Sequence, residues 1–179
     1  MSDIRIASRY AKALFDCSLE NDSVELCVSD IQQIQTALAE SKDLRLFIRT
    51  PLLRKVTKKE ALGKIFVSCS ALTCKLLMLM TEKNRESYIP SMTDAFMLLY
   101  YKYKSITTAT VSSALPLSDG NLKAIKTYIL ETAGSSDVLI TQTLDPTLIG
   151  GMNIMFEGKI YDATLSNKLN KLKKDLQIA

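Results

Sequence analysis

Apolar residues recur at steps of three and four along most of the chain, and this period predicts a succession of short amphipathic helices. The first carries Ile4, Ala7, Ala11, Leu14 and Ser18 on one stripe, widened by Tyr10 and Phe15, with Arg5, Arg9, Lys12 and Asp16 at other positions. It ends near Glu20, where Asn21-Asp22-Ser23 supplies a turn and candidate caps for a second helix. Val24, Cys27, Val28, Ile31, Ile34 and Leu38 form the buried stripe of that helix, which stops near Ala39-Glu40. Ser41-Lys42-Asp43 offers a fresh cap ahead of Leu44, Leu46, Phe47 and Ile48. This third helix ends before Pro51, because a residue preceding proline is pushed out of the helical region. Thr57 and Glu60 read as a capping box that opens a fourth helix over roughly 58–66. Ser70 or Thr73 opens a fifth, whose Leu72, Leu76, Leu77, Leu79 and Met80 cover much of its circumference, as in a helix central to a bundle or lining a partner groove. A sixth begins near Ser87, with Pro90 tolerated in its first turn and Ile89, Met92, Phe96, Leu99 and Tyr103 at helical spacing.

The pattern changes at Lys104-Ser105. Ile106 to Val111 is an uncharged, β-branched run that predicts a strand, and Pro116-Leu117-Ser118-Asp119 closes it and caps a helix bearing Leu122, Ile125, Ile129 and Ala133. Gly134 stops that helix, and Val138, Ile140 and Gln142 then alternate with Leu139, Thr141 and Thr143 in a second strand. Asp145-Pro146 initiates a turn, and Gly150-Gly151 offers two positions without a β-carbon, suited to positive φ or close backbone approach. Met152, Ile154 and Phe156 alternate with Asn153 and Met155 in the next strand, and Glu157-Gly158 forms a two-residue hairpin turn into Lys159-Ile160-Tyr161. The terminal helix carries Leu165, Leu169, Leu172 and Leu176 on one face, expected to pack on the sheet, with Lys168, Lys171, Lys173, Lys174 and Asp175 on the others. The expected fold is mainly α, a six-helix bundle over residues 1–104 followed by a small α+β domain over 105–179. Charge divides at the same place: sixteen Lys+Arg against twelve Asp+Glu before it, seven against seven after it.

With 47% hydrophobic and 23% charged residues, the composition is that of a folded globular chain. Histidine is absent, which removes the commonest general base, the usual triad partner and the commonest metal ligand. No phosphate-cradling glycine loop or nucleophile elbow occurs, so no catalytic residue, cofactor or metal is expected. Cys17, Cys27, Cys69 and Cys74 lack zinc-site spacing and read as reduced packing residues. The apolar stretch from Ile65 to Met80 is interrupted by Lys75 and predicts no membrane span, and the N-terminus shows no secretory or transit signal, which favours the cytoplasm and a bacterial source.

Asp145-Pro146-Thr147-Leu148-Ile149-Gly150-Gly151, followed by a strand, a turn at Gly158, Lys159-Ile160-Tyr161-Asp162 and a Leu/Lys helix, resembles the C-terminal signature of the delta subunit of F-type ATP synthases, the family of the oligomycin-sensitivity-conferring protein. Arg9-Tyr10-Ala11-Lys12-Ala13-Leu14-Phe15 is similar to the same family's opening helix. Ala163-Thr164 stands where the family usually has Gly-Ser, Asn153 and Met155 replace the more usual aliphatic residues, and the last helix carries Lys where Arg is common.

The resemblance implies a non-catalytic stator connector, peripheral on the cytoplasmic face of the bacterial inner membrane and attached to it only through the complex. It would hold the N-terminal helix of an alpha subunit on its helical domain and the end of the peripheral-stalk b subunit on its C-terminal domain. The alpha groove would be walled by Tyr10, Ala13 and Leu14 of the first helix and Leu76, Leu79 and Met80 of the fifth, residues that ordinary amphipathicity would equally assign to the core. Asp145, Pro146, Gly150, Gly151, Gly158 and Asp162 are expected to shape the C-terminal domain. The rival reading, a basic nucleic-acid-binding face or another adaptor, rests on the run from Lys42 to Lys64. It holds eight Lys+Arg against Asp43 and Glu60, without aromatic interleaving or a helix-turn-helix pattern, so no nucleic-acid partner is expected.

Overall fold

Polar punctuation sets the helix boundaries. The Ser41 hydroxyl accepts from the Leu44 amide at 3.1 Å, closing one helix and capping the next, and Ser70 does the same for Thr73 at 3.4 Å. The computed structural model describes residues 3–50 and 53–177; Pro51, Met1 and Ser2, which carried sequence expectations, lie outside these described residues. Two compact units result, Met1–Tyr100 and Tyr101–Ala179, dividing a few residues before the compositional change.

The helices of the first part are α1 (Asp3–Glu20), α2 (Val24–Glu40), α3 (Lys42–Arg49), α4 (Lys55–Ile65), α5 (Ala71–Glu82) and α6 (Ile89–Tyr103), with a single 3-10 turn at Glu86–Tyr88 leading into α6. Ala7, Ala11, Leu14, Phe15 and Ser18 are buried as the period requires, whereas Ile4 is 77% exposed, one turn beyond the reach of the core. The core joins these to Cys27, Ile31 and Ile34 of α2, Leu77 and Met80 of α5, and Met92 and Phe96 of α6, with Phe15 and Phe96 edge to face at a centroid separation of 5.7 Å. Tyr103, expected on the α6 stripe, is exposed.

Buried polar ties cross-link the helices. Asp30, on the apolar stripe of α2, accepts from the Ser70 amide at 2.9 Å at the start of α5. The buried Lys58 ammonium pairs with the buried carboxylate of Glu86. That pair corrects the expected capping box. Helix α4 starts at Lys55 with Arg54 at its cap and no side-chain cap bond, Thr57 lies exposed within it, and Lys58 turns inward. Among the four cysteines, Cys27 and Cys69 are buried, Cys74 is half-buried and Cys17 is exposed, so the packing role fails for Cys17. Burial, with the negative charge of Asp30, pushes the Cys69 thiol up to about 11 and raises Cys74 too, which keeps both protonated at neutral pH.

The second unit is a four-stranded mixed sheet, β1 (Ile106–Ser113), β2 (Asp137–Leu144), β3 (Met152–Phe156) and β4 (Lys159–Asp162), in the order β2-β1-β3-β4. Central β1 runs parallel to β2 and antiparallel to β3. Helix α7 (Asp119–Ala133), capped by Ser118 and ended by Gly134 at φ 63°, covers one sheet face with Ile125 and Ile129 against Ala109, Val111, Val138, Ile154 and Phe156. Glu157 and Gly158 both have positive φ, 48° and 73°, as a two-residue type I′ hairpin demands. Helix α8 (Leu165–Gln177) ends the described chain.

Removing one partner of the buried ion pair strands the other. Lys58→Ala is expected to cost about 3–5 kcal/mol in urea unfolding, and the paired change Lys58→Met with Glu86→Leu far less. Equal losses from the two variants would count against the pair as the reason for the inward turn of Lys58.

Candidate functional site

Two neighbourhoods hold the residues singled out from the sequence. In the C-terminal signature the Asp145 carboxylate accepts from the Thr147 amide at 3.0 Å and its hydroxyl at 2.6 Å, folding Pro146–Leu148 into a 3-10 turn, while the Asp145 amide donates to the carbonyl of Ser113 at the end of β1. Ile149 follows at φ 64° and Gly151 at φ 78°. A β-carbon on Gly151 would lie 2.3 Å from the Ala163 carbonyl oxygen, a backbone atom that cannot step aside. On Gly150 it would lie 2.7 Å from Leu165 Cδ1, the free end of a side chain, and the Gly150 carbonyl accepts from the Leu165 amide at 2.9 Å.

Asp162 repeats the Asp145 device. Its carboxylate takes the Thr164 amide at 2.9 Å and hydroxyl at 2.7 Å, and the Thr164 hydroxyl in turn accepts from Asn167 in the first turn of α8 at 3.2 Å. The threonine hydroxyl bonds hold the carboxyls of Asp145 and Asp162 below the usual carboxylate range, seconded by the backbone amides. Thr164 thus caps α8 as a serine would, and Ala163 supplies the carbonyl that Gly151 admits. These groups shape a turn and launch a helix; none is aimed at a reacting centre. Gly158 serves the hairpin alone, with open space where its β-carbon would be.

The second neighbourhood is formed by α1 and α5, which lie in contact. The six residues named for a groove divide there. Leu14, Leu76 and Met80 are buried in the core, Tyr10 is half-buried, Ala13 is exposed and Leu79 is 44% exposed. Arg85, just past α5, donates to the Tyr10 hydroxyl at 3.1 Å and stacks its guanidinium over the ring at 5.8 Å, a contact for which the sequence carried no signal. Met78, on the same helix, is 43% exposed and was likewise missed.

Part of the basic run is engaged within the chain. Arg45 donates to the carbonyls of Leu38 and Ala39, Lys55 to the carbonyl of Glu82, Lys59 pairs with Glu82 at 3.2 Å, and Lys58 is buried against Glu86. Half of the eight cations therefore tie α3 and α4 to neighbouring elements. Among the described residues no group of three or more Cys, Asp or Glu could hold a metal ion, and no helix is long and apolar enough to cross a membrane.

A family model described as ATP synthase delta (OSCP) subunit matches residues 6–176. The chain belongs to that family. It is 32% identical to the ATP synthase subunit delta of Oceanobacillus iheyensis over 98% of this chain and 97% of that one. The subunit delta of a Bradyrhizobium species is 31% identical over 97% and 94% of the two chains. A chain in the solved Toxoplasma gondii mitochondrial ATP synthase hexamer shares the fold, with a TM-score of 0.77 at 22% identity over 96% of this chain and 97% of that one. As a delta subunit the chain is a non-catalytic accessory component of the ATP synthase stator, the peripheral stalk. This membership does not favour the nucleic-acid reading, nor does the engagement of half of the basic run within the chain.

The two glycines differ in what they can tolerate. Gly151→Ala adds both strain at positive φ and a backbone clash and should destabilise the protein by about 1–3 kcal/mol, whereas Gly150→Ala needs only Leu165 to shift and should cost less than about 1 kcal/mol. Urea midpoints of the two variants check the order, and a larger loss at Gly150 would reverse the assignment.

Proposed function

We propose that the chain joins the catalytic head of a bacterial ATP synthase to its peripheral stalk, acting from the cytoplasmic face of the inner membrane as a peripheral protein. The six helices of the first part serve as a bundle whose α1–α5 face receives the N-terminal helix of an alpha subunit. The C-terminal unit holds the end of the b subunit around the hairpin and α8. Held at both points, the chain resists the torque that proton-driven rotation applies to the head. The bacterial origin of these relatives supports the location.

The observation that supports the alpha assignment is that α1 and α5 lie in contact while each keeps an apolar residue out of the core, Ala13 on α1 and Leu79 on α5. A helix-in-groove contact needs such anchors: small residues that admit a backbone and aliphatic ones that fill against it. Leu14, Leu76 and Met80 act from beneath, fixing the spacing of the two walls rather than touching the ligand.

Ala13→Asp puts a charge on that surface without disturbing the core. It is expected to weaken binding of an alpha N-terminal peptide about tenfold or more in calorimetry at an unchanged melting temperature; full affinity would remove Ala13 from the groove. Deleting residues 145–179 should abolish co-purification with b while alpha-peptide binding persists, and b retained by the shortened chain would overturn the division of labour between the two units.

A further inference from the structure

The two edges of the C-terminal sheet are finished differently. Strand β4 is four residues long, opens on Lys159 and closes on Asp162, a short charged edge of the kind that discourages further pairing. Strand β2 forms the other edge. It runs eight residues in register with β1, and after Asp137 its sequence Val138-Leu139-Ile140-Thr141-Gln142-Thr143-Leu144 holds no charge, proline or glycine. Leu139 and Leu144 are 47% and 58% exposed, and Thr141, Gln142 and Thr143 are exposed beside them. Such an edge lacks the devices that keep other chains from adding to it. The leucines of α8, 46% to 76% exposed instead of packed on the sheet as their spacing suggested, fall to the b assignment; that assignment makes no use of β2.

A groove runs along this edge. Val138, Ile140 and Gln142 of β2, with Leu122, Lys123 and Lys126 of α7, line an open depression of about 270 Å³. Its floor is mainly apolar, and its helix wall carries two lysines. At one end Lys126 reaches Asp137 at 2.7 Å, a pair exposed enough to contribute little and to exchange for another carboxylate. Every second side chain of a strand laid against β2 would enter this groove, because strand side chains alternate between the faces. Carboxylates at those positions would meet Lys123 and Lys126. A second copy of the chain paired edge to edge would instead bring another α7, with the same two lysines, to the same side of the joined sheet.

We infer that the β2 edge and the groove beside α7 take an extended segment of another protein as a fifth strand, with aliphatic and acidic residues among the side chains that face α7. Main-chain hydrogen bonds along β2 supply the affinity, and the lysine wall selects acidic sequence. This site is distinct from the one assigned to b, since the hairpin β3–β4 occupies the opposite side of the strand order β2-β1-β3-β4.

The probe is a peptide of about nine residues in which Thr alternates with Val and Glu in turn, so that one face presents only Val and Glu. In calorimetry the full chain should bind it about tenfold or more tightly than the same peptide with Lys in place of Glu. N-methylation separates strand addition from simple charge attraction: methylating one alternate set of peptide amides should abolish binding, and methylating the other set should leave it within about twofold. Lys123→Glu with Lys126→Glu should reverse the preference between the two peptides while co-purification with b and the melting temperature stay unchanged. Lys123→Glu alone, which keeps the Lys126–Asp137 pair, should already weaken the acidic peptide, and it carries the test if the double variant is unstable. Equal affinity for the two peptides overturns the inference, as does equal tolerance of both methylated sets. Dimerisation in sedimentation that the acidic peptide competes away would put a second copy on the edge, and loss of b by the folded lysine variants would make the groove part of the b site; either result overturns it as well.

Discussion

The approach of Gly151 to the carbonyl of Ala163 is the constraint on which the C-terminal unit turns. The chain leaves β2, folds through the Asp145 turn, and must pass within van der Waals distance of the segment that joins β4 to α8. Only a residue with no β-carbon and free access to positive φ can occupy that crossing. Because the two passes are locked together, Gly150 can offer its carbonyl to Leu165 and Thr164 can cap the first turn of α8. The direction of the terminal helix is therefore fixed from below by backbone geometry, while its sides stay open.

The helical unit is held by a different means. Its apolar stripes supply the bulk of the core, and a few polar ties between distant segments set how the short helices are paired: Asp30 with Ser70, Lys58 with Glu86, Gln35 with Asp94 at 2.9 Å. Apolar contact is non-directional and would accept several arrangements of six short helices, whereas a buried carboxylate or ammonium accepts one partner and penalises the others. Exposed apolar side chains on α5 and α8 then remain for use outside the chain.

Much of this architecture was legible in the sequence, and the reasons it was legible differ by element. Ser41, Ser70, Ser118 and Gly134 mark helix ends because capping is local chemistry, read within three or four residues. Strand alternation grouped Val138 with Ile140 and Ile154 with Phe156 and Met152, and these are the sets that pack in the core beside α7. What failed involved partners far along the chain. Thr57-Glu60 has the form of a capping box, but Lys58 finds Glu86 beyond α5 and the helix starts earlier to let it do so. The leucines of α8 have the spacing of a buried stripe, and periodicity cannot say whether the surface they meet belongs to the same molecule. The same ambiguity split the groove residues, leaving Leu14 and Met80 inside and Ala13 and Leu79 outside.

The sheet order carries a consequence for the order of folding. Neighbouring helices such as α2 with α3 and α4 with α5 can pair as they leave the ribosome, since local contacts need little loop closure, while α1 must wait for α5 and α6. Strand β1 has no such option. Its parallel partner β2 follows only after α7, and its antiparallel partner begins where Ser113 meets Met152, late in the chain. Until those residues are made, β1 presents two unpaired edges, and its run of Thr, Ala and Ser rather than large apolar side chains keeps those edges poor templates for association with other chains.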